Sequence, residues 1–217
     1  MMDDLFAPPA GEEPHTERLA AGTVLLHAMA APQAEALLAD IRHIAALSPF
    51  RHMVTPGGYR MGVATTSCGE LGWVSDQHGY RYSRQDPGSG QPWPAMPDSW
   101  LALASEAAAR AGFAGFVPDA CLINRYVPGC KLSLHQDKDE RDFSAPIVSL
   151  SLGLPAVFEL GGLRRSERCA RLTLRHGDIL VWGGPDRLRY HGVLPLAGGS
   201  HPLLGECRIN LTFRRAG

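Results

Sequence analysis

From residue 120 onward the chain is a succession of short segments of strand-forming residues, CLINRYV, PIVSLSLG, AVFEL, RLTLR, DILVW, RYHGVL and CRINLTFR, parted by turn residues. Strands recurring at about 8–12-residue spacing with no helical period between them have to pair with one another, which predicts an antiparallel sandwich or barrel. Helices are expected only ahead of this block. PQAEALLADIRHIAAL, from Pro32, sets Leu37, Ile41, Ile44 and Ala45 on one face, and residues 97–111 set Trp100, Leu103 and Ala107 on one face before Gly112. GTVLLH at 22–27 suits a short strand, and residues 50–94 carry the Gly, Pro and aromatic content of hairpins and loops. The fold class expected is mainly β with flanking helices.

A length of 217 residues with 45% apolar content is enough for one core. With 21 Lys+Arg against 22 Asp+Glu, no molecule-wide positive field attracts polyanions, so any contact to nucleic acid has to be local. The five cysteines, Cys68, Cys121, Cys130, Cys169 and Cys207, are scattered and form no CxxC pair, which excludes a thiolate zinc site and a disulfide framework. The N-terminus is acidic and Pro-rich, without a basic and then apolar leader, and no stretch of about 18 apolar residues occurs. A soluble, cytoplasmic, monomeric protein is expected, with residues 1–18 as a lead-in without structure.

Successive strand side chains face opposite ways, so His135 and Asp137 in LHQDKDE aim at one point, and His191 in RYHGVL supplies a third donor from another strand. Two imidazoles and one carboxylate on one face of an octahedron leave open positions, the arrangement of Fe(II) oxygenases rather than of closed tetrahedral zinc sites. An H-x-D among nine histidines is also what chance puts on a solvated loop. In CRINLTFR, Ile209, Leu211 and Phe213 share one parity while Arg208, Asn210, Thr212 and Arg214 share the other. If the polar face is solvated, the segment is an ordinary edge strand. If it lines a barrel, two buried guanidiniums need an anionic partner, and a small dicarboxylate matches the planar fork. Asn124 and Tyr126, again two apart, add an amide and a phenol donor.

LINRYVPGCKLSLHQDKDE, PIVSLSLGLPAVF, HGDILVWGG, RYHGV and RINLTFR, with VTPGGYRM, LGW and PWPAMP ahead of them, closely resemble the AlkB family of alkylation-repair dioxygenases, in the same order from about Gly22 to the C-terminus. The resemblance implies a double-stranded β-helix (jelly-roll) core over residues 95–217, preceded at 19–94 by an N-terminal extension and nucleotide-recognition lid. It implies Fe(II) on His135, Asp137 and His191, O2 as oxidant, and 2-oxoglutarate held by Arg208, Arg214, Asn210, Asn124 and Tyr126. The division of the two carboxylates between the arginines stays open.

The substrate the resemblance implies is alkylated single- or double-stranded DNA, with RNA as a further candidate, repaired at N1-methyladenine and N3-methylcytosine with release of formaldehyde. Such bases are cationic and do not pair normally, which lowers the cost of extruding them. Trp73 matches the aromatic that stacks on the flipped base, Asp139 the acceptor for its exocyclic amino group, and Tyr80, Arg81, Tyr82, Thr55 and Arg165 line the path of the lesion strand. Arg165 lies in a run with Arg164, Arg168, Arg171 and Arg175 that is equally a solvated face, and Glu140, placed beside Asp139 to favour a cationic base, equally reads as a solvated strand end. One departure, Thr65 where the best-known member has a methionine near the lesion pocket, leaves the lesion spectrum open. Two rival readings stand beside this one. One is a 2-oxoglutarate oxygenase of a non-nucleic-acid substrate, and the other a non-catalytic nucleic-acid-binding module.

Overall fold

The computed structural model describes residues 14–217, so most of the expected lead-in lies outside the described residues. Order begins earlier than expected, because β1 (Thr16–Ala20) pairs antiparallel with β2 (Thr23–Leu26). His27 fixes this hairpin by stacking on His15 and bonding Glu17 at 3.0 Å.

The expected helices form as α1 (Ala34–Leu47), entered through a 3-10 turn containing Pro32, and α2 (Asp98–Arg110). β3 (Ala64–Gly69) and the hairpin β4 (Gly72–Asp76) and β5 (Gly79–Ser83) lie between them. After α2 come β6 (Ala120–Tyr126), β7 (Leu132–His135), β8 (Ile147–Gly153), β9 (Ala156–Leu160), β10 (Ala170–Leu174), β11 (Ile179–Trp182), β12 (His191–Val193) and β13 (Arg208–Arg214). Every pair among the named strands is antiparallel. The large sheet runs β1-β2-β11-β8-β13-β6-β3 and the small one β10-β9-β12-β7, while β4 and β5 pair only with each other. This is the antiparallel sandwich expected from the strand spacing, in the two-sheet jelly-roll form that the resemblance implies. Three of its strands, β1, β2 and β3, come from the stretch ahead of residue 95.

Alternation along the large sheet builds two cores. One set of side chains, including Ile123, Leu150, Leu211 and Phe213, packs under α1 and α2 against Leu37, Ile41, Trp100 and Leu103. The Trp100 indole meets Phe213 edge-on at 6.1 Å and donates to Asp40 at 2.9 Å, which ties the two helices to the sheet. The opposite set, including Leu25, Tyr126, Leu180 and Trp182, faces Phe158, Leu160 and Val193 of the small sheet. All seven residues of β13 are buried, so its polar face is no solvated edge. That face looks into the space between the sheets, where the site lies.

Candidate active site

β7 and β12 are neighbours, with His135 and His191 in direct register, and Asp137 follows β7 by two residues. Asp137 Oδ1 lies 3.5 Å from His135 Nε2 and Oδ2 lies 3.7 Å from His191 Nε2, and one donor atom from each of the three residues falls within 4.8 Å of the others. Donors about 2.1 Å from one ion at right angles stand about 3 Å apart, so a small inward adjustment closes the triad around a metal. The outer nitrogens are already committed. His135 Nδ1 sits 3.0 Å from the Ser133 carbonyl and His191 Nδ1 3.1 Å from the Arg189 carbonyl. A carbonyl accepts only, so each Nδ1 carries the proton and each Nε2 turns its lone pair to the centre.

Protonation suits cation binding at two of the three donors, His191 and Asp137. Burial pushes the pKa of His191 down to about 4, which keeps the imidazole neutral. Burial alone would raise Asp137, but the Arg214 guanidinium, then His135 and His191, hold its carboxyl well below the usual range. For His135 burial pulls the other way, and the hydrogen bond and charge of Asp137 outweigh it, leaving a net rise.

A cavity of about 520 Å³ opens beside the triad between the two sheets. Arg208 lines it while being 1% exposed. Its Nη2 donates to Ser151 at 3.0 Å, but Nε and Nη1 are buried with no hydrogen-bond partner. A guanidinium with two orphaned nitrogens is costly unless an anion fills the gap, and burial lowers its pKa accordingly. Tyr126 stands beside it, 5.9 Å from the Arg208 carbon to the ring, its phenol pushed up to about 12 chiefly by burial and so kept protonated as a donor. Arg214 is different, because its guanidinium is held by Asp137 at 2.7 Å and by Glu140 at 3.2 Å. Asn210 spends its amide on Ser149 and the Leu150 carbonyl and accepts from Thr212. Asn124 faces Asn210 on one side and Thr65 on the other, and the buried Thr65 hydroxyl has no partner.

Over the mouth lies the β4–β5 hairpin. Gly72 lets it rest on Trp93, since a Cβ there would strike the indole. Trp73 stacks on Tyr80 at 5.7 Å and 12° and donates to Asp139 at 2.8 Å, and Tyr82 donates to Glu140 at 2.8 Å. Arg81 lies between the two tyrosines on the other face of the strand and pairs with Asp76 at 2.8 Å, so it is not brought to the cavity. Thr55 lines the rim and takes the Tyr59 amide at 3.2 Å, while Arg165 lies across Tyr190 at 5.9 Å.

Glu140 corrects its reading as a solvated strand end. It is 6% exposed and bonded to Arg187 at 3.0 Å, because the loop after β7 folds inward instead of ending in water. Sequence reasoning also passed over Ser149, Ser151 and Arg187. The serines were legible, being two apart in PIVSLSLG and of the parity opposite to Val148, Leu150 and Leu152. Arg187 lies in an irregular turn, where no periodicity marks it.

A model of the 2OG-Fe(II) oxygenase superfamily matches residues 22–214. The chain is 60% identical over 215 residues to the alpha-ketoglutarate-dependent dioxygenase AlkB of Salmonella typhimurium, covering 99% of this chain and 98% of the relative. The chain belongs to the AlkB family. The mouse nucleic acid dioxygenase ALKBH1 is 35% identical over 140 residues, 63% of this chain and 34% of the mouse protein. Among solved structures, that of OsALKBH1 superposes with a TM-score of 0.78 at 28% identity, covering 93% of this chain and all of the other. As a family member the protein is a dioxygenase that uses Fe(II), 2-oxoglutarate and O2. The donor set and the half-unpaired Arg208 fit those groups. Among the described residues no helix is long and apolar enough to cross a membrane.

Proposed function

We propose that the protein repairs N-alkylated bases in DNA, with N1-methyladenine and N3-methylcytosine as lesions. The observation that carries this reading is the pairing, in one cavity, of an iron-type triad and an anion-seeking Arg208 with an aromatic lid beside an exposed carboxylate. The name of the mouse relative carries the same substrate class.

His135, Asp137 and His191 hold the metal. Arg208 takes the distal carboxylate of 2-oxoglutarate on its open edge, since Arg214 is already engaged by Asp137 and Glu140. Tyr126 and Asn124 complete the cosubstrate pocket, and Asn210, saturated by its neighbours, holds Ser149 in place within it. Arg214 acts on the metal side, keeping Asp137 ionised. When bound, iron with 2-oxoglutarate and O2 supplies the oxidising power that hydroxylates the alkyl carbon, with succinate and carbon dioxide as coproducts. The hydroxylated adduct then falls apart, and a methyl group leaves as formaldehyde.

Residues 72–83 act as the lid. Trp73 stacks on the extruded base opposite the His135 ring, and a cationic base is favoured by Asp139, which accepts from its amino group. Tyr80 and Tyr82 follow the strand inside the mouth, Thr55 and Arg165 at its rim, and Arg81 meets phosphate outside it. Five free cysteines support a reducing, cytoplasmic setting, and we take the monomer as the working unit.

The test is succinate and formaldehyde release with iron, ascorbate and 2-oxoglutarate, measured side by side on single-stranded DNA and RNA bearing one N1-methyladenine and on the free nucleoside. Release from DNA at the highest kcat/KM is expected. Equal release from all three, or none, defeats the proposal.

A further inference from the structure

The lid hairpin and the loop after β7 meet at two adjacent pairs of residues. Trp73 and Tyr82 face each other across β4 and β5, and they donate to the consecutive residues Asp139 and Glu140. The first contact is exposed, but the second continues inward. Glu140 Oε2 accepts from Arg187 Nη2 at 3.0 Å, and Oε1 lies 3.2 Å from Arg214 Nε. Arg187 Nη1 in turn donates to the backbone carbonyl of Asp137 at 2.8 Å, and Arg214 Nη2 donates to the Asp137 carboxylate at 2.7 Å. Both of Glu140's basic partners therefore hold Asp137, one by its main chain and one by its side chain.

The four charges Asp137, Glu140, Arg187 and Arg214 have side chains no more than 9% exposed and sum to zero. Without the Glu140 charge, two guanidiniums would face one carboxylate at the place a divalent cation has to enter. Two effects then act in the same direction. The excess positive charge repels the ion, and Arg214, whose Nε and Nη2 both donate to Asp137 Oδ2 at 3.2 and 2.7 Å, loses the Glu140 carboxylate that shares its charge and grips the Asp137 oxygen the ion needs more tightly. Arg187 also loses the anchor that steadies it against the Asp137 carbonyl.

We propose that Glu140 is a positioning residue: clasped by Tyr82 of the lid on one side and by Arg187 and Arg214 on the other, it ties the seating of the hairpin to the orientation of Asp137. The proposal rests on the metal reading of the triad given above. Because coupling is reciprocal, a seated hairpin tightens the metal and a bound metal steadies the hairpin.

Mn(II) is the probe, its binding to the full chain followed by water-proton relaxation. Asp137→Asn tests the triad itself and is expected to lose the ion. Glu140→Gln is expected to weaken Mn(II) about 10-fold, since it removes the charge that balances the two guanidiniums holding Asp137. Tyr82→Phe, which keeps the ring and every charge, is expected to weaken it about 2- to 10-fold, the worth of one hydrogen bond. Mn(II) is also expected to slow amide hydrogen exchange over residues 72–83 in the unaltered protein and not in Tyr82→Phe. A merely structural Glu140 would lower the melting temperature and leave Mn(II) affinity within twofold in both variants, with equal slowing of exchange, and that result overturns the proposal. Should Glu140→Gln fail to fold, Tyr82→Phe decides alone. If Asp137→Asn binds Mn(II) as well as the unaltered protein, the triad reading falls instead.

Discussion

β13 and the β4–β5 hairpin both face the same cavity, yet they are built in opposite ways. β13 is paired along its length by β6 on one side and β8 on the other, and every residue in it is buried. The hairpin pairs only with itself and leaves Tyr80 48% exposed. A two-stranded ribbon is marginal by itself, so it depends on Trp93 beneath it and on the Asp139 and Glu140 contacts at its edge. In the proposed reading the cosubstrate, which never varies, is met by a strand buried throughout and paired on both sides. In the same reading the base, which has to be threaded in and released, is met by a partly exposed two-stranded ribbon. If that division is real, substitutions in the two regions separate cleanly into effects on 2-oxoglutarate and effects on the lesion strand.

The largest effect is expected where the two regions meet, at the metal. His191→Gln should reduce succinate formation to background, because a neutral imidazole donor is lost while side-chain bulk stays. Alanine is the poorer choice, since His191 stacks on Phe158 at 5.7 Å and lies 5.0 Å from Trp182, and truncation would leave a cavity there. Retained turnover in the glutamine variant would remove His191 from the triad. Next comes Arg208→Lys, where a point-charge ammonium replaces a planar fork. The half-saturating 2-oxoglutarate concentration should rise about 10- to 100-fold, with much less change in KM for the DNA. A matched rise in both would erase the contrast between β13 and the lid.

The converse sits at Trp73. Removing a stacking platform costs about 1–3 kcal/mol per base, so Trp73→Ala should raise KM for a methylated oligonucleotide about 5- to 150-fold. Half-saturation by 2-oxoglutarate, titrated in the same assay, should move far less. Trp73→Phe sharpens the comparison further, because it keeps most of the stacking surface but loses the donor to Asp139. A phenylalanine variant as impaired as the alanine one would show that the indole N–H, by fixing Asp139, matters more than the ring face.

The same contrast explains what the sequence revealed. Where the backbone is regular, period-two alternation assigns each side chain to a face, which is why Arg208 and Arg214, and Asn124 and Tyr126, were legible beforehand, and it carries from His135 at the end of β7 as far as Asp137 just beyond it. Where the chain is irregular, alternation carries no information. Glu140 and Arg187 lie in such stretches, and their mutual burial is fixed only when the 136–146 loop meets the turn before β12. Alternation also sets Arg81 on the face of its strand opposite to Tyr80 and Tyr82, away from the cavity they line. The two arginines, alike in the sequence, differ in their partners: Glu140 and Asp137 engage Arg214, whereas Ser151 leaves two nitrogens of Arg208 open.

The smallest effect concerns acid stability, and it ties the site to a region outside it. Burial depresses His191 to about 4, and burial with the neighbouring His201 depresses His176 to about 4. His176 stacks on His201 at 4.4 Å and accepts from the Gly153 amide at 3.0 Å, so its Nδ1 is held unprotonated in the fold. A histidine whose folded pKa lies below its ordinary 6.5 is protonated first in the unfolded chain. Between about pH 6.5 and 4 the unfolded state therefore binds more protons, and stability is lost as pH falls through that window. Metal-free protein unfolded by urea should show a steady decline in midpoint from pH 6.5 to 4. His176→Asn should flatten part of that slope, and a saturating divalent metal should steepen it, because the ion displaces the proton that His135, raised above its ordinary value by Asp137, otherwise holds in the fold. A slope the same with and without metal would mean that His135 is not where the ion binds.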